Sequence, residues 1–85
     1  MNKVLIELYC AATIKKYDMW LPKALKIQEA IQQIIEEIRV FENNDELFMD
    51  ESNLLLYLFE RQTVLNPEYT VEQAGVLSGQ RIMLV

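Results

Sequence analysis

The sequence has no histidine, one cysteine, two glycines and two prolines. Without histidine, the commonest general base and the commonest metal ligand are both missing. The one cysteine, Cys10, cannot form an internal disulfide, which fits a reducing, cytoplasmic setting. So little glycine and proline beside an apolar fraction of 52% excludes collagen-like and disordered chains. Long hydrophobic runs are absent too. The longest, Leu54 to Phe59, has six residues, far short of a membrane span. No basic stretch leading an apolar segment of about 7–15 residues opens the chain, so no secretory signal is expected. At 85 residues the expectation is one domain, 1–85, with a single pair of packed layers.

Basic residues are also scarce, eight against 13 acids, and the imbalance is local. Glu42, Asp45, Glu46, Asp50 and Glu51 fall between residues 42 and 53 with no Lys or Arg among them; the other acids and bases balance. A neutral body with an acidic loop lacks the basic stripe that would neutralise phosphates, which argues against nucleic-acid binding and against anionic membrane surfaces.

What is present is a clear alternation of periods. Residues 3–9 place Val4, Ile6 and Leu8 on one face at period two. After a break at Cys10 to Thr13, residues 16–21 put Tyr17, Met19 and Leu21 on one side, Asp18 and Trp20 on the other, until Pro22 ends the ladder. The two runs predict an antiparallel hairpin. From about Leu25 to Phe41 the spacing changes to four and three: Ile27, Ile31, Ile34, Ile38 and Phe41 form a stripe flanked by Ala30 and Ile35, opposite Gln28, Gln32, Gln33, Glu36, Glu37 and Arg39. This predicts an amphipathic helix that must lie on a sheet, with the whole stripe in the core. Leu54 to Phe59 is expected to be a buried strand, Glu60 to Gln62 a turn, Thr63 to Leu65 a very short strand, Thr70 the cap of one helical turn ended by Gly75, and Arg81 to Val85 the last strand.

Two blocks carry a resemblance. Tyr17-Asp18-Met19-Trp20-Leu21-Pro22 precedes the helix. The C-terminal block from Val64 to Val85 contains Thr70-Val71, Gly75-Val76, Gly79-Gln80 and the alternating end Arg81-Ile82-Met83-Leu84-Val85. With the element order, these resemble the YukD/EsaB-like ubiquitin-like proteins encoded with bacterial type VII secretion systems. The resemblance implies an α+β, β-grasp (ubiquitin-like) fold: a mixed sheet of four to five strands in the order second, first, last, third, with one long helix on one face. It also implies an accessory or regulatory role in a type VII-like secretion system, with a larger component of that system as protein partner. Two departures stand out: no Ser, Thr or Asp caps the helix at Leu25-Lys26-Ile27, and the 42–53 loop is longer and more acidic than ubiquitin's own.

No catalytic constellation emerges. Ubiquitin-like modifiers and sulfur carriers act through a C-terminal Gly-Gly tail, whereas this sequence ends Ile82-Met83-Leu84-Val85, so conjugation is not expected. Asp45-Glu46 and Asp50-Glu51 lack the regular spacing and central glycine of a calcium loop. Glu36 and Glu37 point apart on a helix. Cys10 has only Lys15 and Lys16 nearby, and Ser52, Thr63 and Ser78 have no histidine to activate them. The expectation is therefore a non-enzymatic interaction module without cofactor or metal. Its candidate surface is the sheet face away from the helix: Leu5, Tyr9, Trp20, Arg81, Met83 and Val85, with Glu7 among them. Trp, Tyr, Met and Arg are the residue types enriched at interfaces. Two alternatives stand beside it: a sulfur carrier or modifier matured by processing, and a small domain whose partner is a second copy of itself, a homodimer.

Overall fold

The computed structural model describes residues 2–49 and 53–85. Five strands and one helix follow in the order β1 (Lys3–Cys10), β2 (Lys15–Pro22), α1 (Ile27–Glu42), β3 (Leu56–Leu58), β4 (Thr63–Val64) and β5 (Arg81–Leu84), with a 3-10 turn at Phe59–Arg61. They form one mixed sheet in the order β2-β1-β5-β3-β4. β1 runs parallel to β5, and the other neighbours are antiparallel. This is the β-grasp topology, with β1 beside β5 inside the sheet as the family resemblance implies.

Period-two alternation sends Val4, Ile6, Leu8 and Cys10 of β1, Tyr17, Met19 and Leu21 of β2, Leu56 and Leu58 of β3, and Ile82 and Leu84 of β5 to one side. There they meet Ile27, Ala30, Ile31, Ile34, Ile35 and Ile38 of α1, all buried. Leu65, Val71 and Val76 close this core from the segment before β5.

The missing side-chain cap of α1 is replaced by backbone. The N–H groups of Ile27 and Gln28 donate to the carbonyls of Tyr69 (2.8 Å) and Pro67 (3.1 Å), and the N–H of Lys26 donates to Glu29 Oε1 (2.9 Å). The Lys26 ammonium has no lone pair to accept a bond, so the 67–69 segment takes over what a Ser or Asp would do. At the other end Asn43 adopts a left-handed conformation (φ 51°), and the N–H of Asn44 closes on Arg39 O at 3.0 Å.

Three expectations need correction. Phe41 is 64% exposed, not in the core, because the last turn of α1 overhangs the sheet; its ring leans on Tyr17 instead, 5.8 Å between centroids. Leu54 to Phe59 is not one continuous buried strand: β3 spans only Leu56–Leu58, Leu56 and Leu58 face the core, and Tyr57 turns away. Glu42 belongs to the helix rather than the acidic loop. Its carboxylate accepts from Lys15 Nζ (2.7 Å) and from the Tyr17 hydroxyl (2.8 Å), tying the hairpin tip to the helix end. Asp50, Glu51 and Ser52 lie outside the described residues.

Candidate functional site

The side of the sheet away from α1 is uncovered among the described residues, and strand register fixes what lies on it. At one end Leu5 is paired with Trp20, which is 45% exposed. Across the middle runs a charged row, Asp18, Glu7 and Arg81, set by the pairs Glu7↔Asp18 and Glu7↔Arg81. At the other end Tyr9, Met83, Tyr57 and Val64 stand side by side across four strands. Val85 and Leu55 extend this end, linked by reciprocal backbone bonds of 2.8 and 2.9 Å. All six residues expected on this face, Leu5, Tyr9, Trp20, Arg81, Met83 and Val85, are therefore on it, but the row through Glu7 divides them into two apolar areas.

Reading Leu54 to Phe59 as wholly buried missed the aromatic part of the site. Phe59 makes edge-to-face contacts with both Tyr9 (5.6 Å) and Tyr57 (5.5 Å), and the Arg81 guanidinium lies 5.5 Å from the Phe59 centroid. The signal available in the sequence was Tyr57 itself, a residue with a polar tip inside an apolar run, at the odd position between two leucines.

Ion pairs hold Glu7 and Arg81 of the charged row in place. Lys16 Nζ lies 3.1 Å from Glu7 Oε1. Glu60 accepts from the Arg81 backbone N–H (2.9 Å) and from Arg81 Nε (3.0 Å). The backbone bond, ahead of the charge, holds the Glu60 carboxyl below its ordinary range, and Glu60 in turn raises Arg81. On the opposite flank the Lys15 ammonium, then the Tyr17 hydroxyl, lower Glu42, while burial raises Tyr17.

These groups are spent on structure. Ser78 Oγ accepts the Leu5 N–H at 3.1 Å, Thr63 Oγ1 donates to the Val64 carbonyl, and Cys10 is buried in the core. Among the described residues no group of three or more His, Cys, Asp or Glu side chains comes together to hold a metal, and no helix is long and apolar enough to cross a membrane. A depression of about 370 Å³ between α1 and the approach to β3 is lined by Gln28, Ile31, Ile35, Leu54 and Pro67, with no titratable side chain among the described residues. What the described residues present on the side of the sheet away from α1 is an exposed, partly apolar surface.

Neither a protein-family model nor a curated sequence matches the chain. Solved structures do match its shape. The ubiquitin-like domain of EccD5 from Mycobacterium xenopi superposes with a TM-score of 0.77 at 16% identity, over 100% of this chain and 94% of that one. The ubiquitin-like domain of the Mycobacterium tuberculosis type VII secretion system protein EccD1 gives 0.73 at 15%, over 100% and 99%. The fold is ubiquitin-like. A chain of the MycP5-free ESX-5 inner membrane complex gives 0.75 at 12%, and this sequence spans 21% of it. At such identities the ubiquitin-like likeness concerns the fold.

Proposed function

We propose that this protein is a cytoplasmic, non-enzymatic interaction module of a type VII-like secretion system, docking through the open sheet face onto a larger component of that system. The observation that carries the proposal is the face itself: exposed Trp20 and Leu5 at one end, and half-buried Tyr9, Tyr57, Phe59 and Met83 at the other, with no element laid over them among the described residues. The likeness to ubiquitin-like domains of EccD proteins supports the system, and the Tyr17–Pro22 and Val64–Val85 blocks support the narrower likeness to YukD/EsaB-like proteins.

The test is co-purification from a host carrying such a system, with wild type against Trp20→Ala. Trp20 is on the sheet side away from the core, so its removal opens no cavity. Truncating a central interface Trp commonly costs about 2 kcal/mol or more, roughly thirtyfold in affinity. The expected result is recovery of a secretion component by wild type and its loss in Trp20→Ala at an unchanged melting temperature. Binding that ignores Trp20 but weakens steeply with salt would move the contact to the acidic loop, since exposed charges are screened beyond about 8–10 Å.

A further inference from the structure

β2 is an outer strand of the sheet, eight residues long, and its free edge carries a charge pattern that fits one occupant. In β1 the odd-numbered residues bond toward β5. Leu5 accepts from the Gly79 N–H (2.8 Å) and donates to Ser78 Oγ, and Glu7 donates to Gln80 O (3.0 Å). The even-numbered residues of β1 therefore bond β2, pairing with Leu21, Met19, Tyr17 and Lys15. That leaves Lys16, Asp18 and Trp20 of β2 with N–H and C=O groups turned to the free edge. Among the described residues only the Trp20 carbonyl is covered, by Gln33 Nε2 at 3.2 Å.

Such an edge is a template for another strand unless something blocks it. The two lysines that would ordinarily block it are drawn back onto their own subunit, Lys15 to Glu42 (2.7 Å) and Lys16 to Glu7 (3.1 Å). Asp18, by contrast, stands directly across from Glu7, a like-charge pair that disfavours the hairpin, and among the described residues it makes no ion pair, Lys16 acting on it only at longer range.

We propose that the β2 edge pairs antiparallel with the β2 edge of a second copy of this chain, with Lys16 opposite Asp18 in both directions. A two-fold axis through Tyr17 gives this register. It makes four backbone hydrogen bonds between the edge groups of Lys16 and Asp18 and sets a lysine beside each Asp18. It also brings Trp20 level with Ile14 of the second copy. Ile14 is 90% exposed at the hairpin tip, and Trp20 is half-exposed; the pairing gives both a neighbour. An axis through Asp18 would instead set Asp18 against Asp18, and one through Met19 would set Asp18 against Trp20, so only the Tyr17 axis gives Asp18 a lysine. The joined sheet has ten strands and leaves the Tyr9–Tyr57–Phe59 area free.

Sedimentation of the protein alone, from micromolar to about millimolar concentration, reads the pairing without any docking partner, so it stands or falls apart from the proposed function; an edge of this size predicts a weak dimer. Wild type should show monomer–dimer exchange. Asp18→Lys and Lys16→Asp should each sediment as monomers, with at least a tenfold weaker association, while their equimolar mixture should regain it. Asp18→Lys also removes the repulsion from Glu7, so its melting temperature should not fall, which excludes misfolding as the cause. Hydrogen exchange gives the second readout: the amides of Lys16 and Asp18 should gain protection as concentration rises, while those of Tyr17 and Met19, already bonded to β1, should not change. A wild type that stays monomeric throughout overturns the proposal, as does a dimer in which the two variants fail to complement or the protected amides lie elsewhere. Protection of Lys16 and Asp18 that appears only when a different protein is added would overturn the second copy as occupant.

Discussion

Ile34 and Phe41 sit seven residues apart on the same helical stripe and should respond very differently to truncation. Ile34 is 0% exposed beneath the middle of α1. Ile34→Ala removes three buried carbons, worth about 0.8 kcal/mol each by transfer, and leaves a cavity that rigid neighbours cannot fill. Together these should cost about 3–4 kcal/mol, within the roughly 2–5 typical of such changes. A chain of this size holds a total of roughly 4–13 kcal/mol, so the variant should lose a large share of its stability. At about 4–8 °C per kcal/mol, its melting temperature should fall by roughly 10–30 °C. Phe41→Ala removes only the tilted contact with Tyr17 and should cost no more than about 0.5–1.5 kcal/mol. Urea denaturation followed by far-UV circular dichroism measures both. If Phe41→Ala costs as much as Ile34→Ala, the helix is seated one turn further along the sheet, and the account of its overhanging end is wrong.

Gly75 closes the turn capped by Thr70 at φ +78°, and a Cβ there would collide with the Arg61 guanidinium. Gly75→Val should destabilise by more than about 1 kcal/mol in the same assay, and an unchanged midpoint would refute the strain argument. Ile14 adopts φ +55° while almost fully exposed, so Ile14→Asn, which tolerates that conformation, should stabilise by about 1 kcal/mol; a loss would show that Ile14 packs on something. Glu42 and Glu60 have carboxyls held below the ordinary 4.5, so their contribution is fully present above that pH and is lost as pH falls through the depressed folded values. Glu42→Gln should flatten the acid limb of the stability–pH curve, and an identical limb in wild type and variant would remove Glu42 from the account.

Much of the fold was legible because the periods are clean. Val4, Ile6 and Leu8 alternate, Ile27 through Ile38 follow helical spacing, and Pro22 ends its strand as its missing N–H requires. What was not legible depends on distances between elements. Hydrophobicity puts Phe41 on the stripe, but only the length of the sheet decides whether anything lies beneath it. The helix cap comes from carbonyls about forty residues further along the chain, at Pro67 and Tyr69, which no local pattern reports. Continuous apolar runs hide alternation, so the polar tip of Tyr57 between Leu56 and Leu58 was the only local sign that pairing with β5 would turn it away from the core.

The division of the open face changes the part that Arg81 can play in docking. From sequence alone it reads as a contact residue, since guanidinium groups are common at interfaces. In the structure its Nε and backbone N–H are both committed to Glu60, and its guanidinium lies over Phe59. Reaching for a partner carboxylate would break a pair already formed, and an exposed pair exchanged for another gains little. Arg81 and Glu60 instead fix the Phe59 ring, which in turn braces Tyr9 and Tyr57 edge to face. Immobilised aromatic rings bind at a lower entropic cost than free ones. In the docking proposed here, the binding energy therefore comes from the two apolar areas, and the charged row between them sets orientation. A partner matched to this face must carry two apolar contacts separated by polar surface, not one continuous hydrophobic patch.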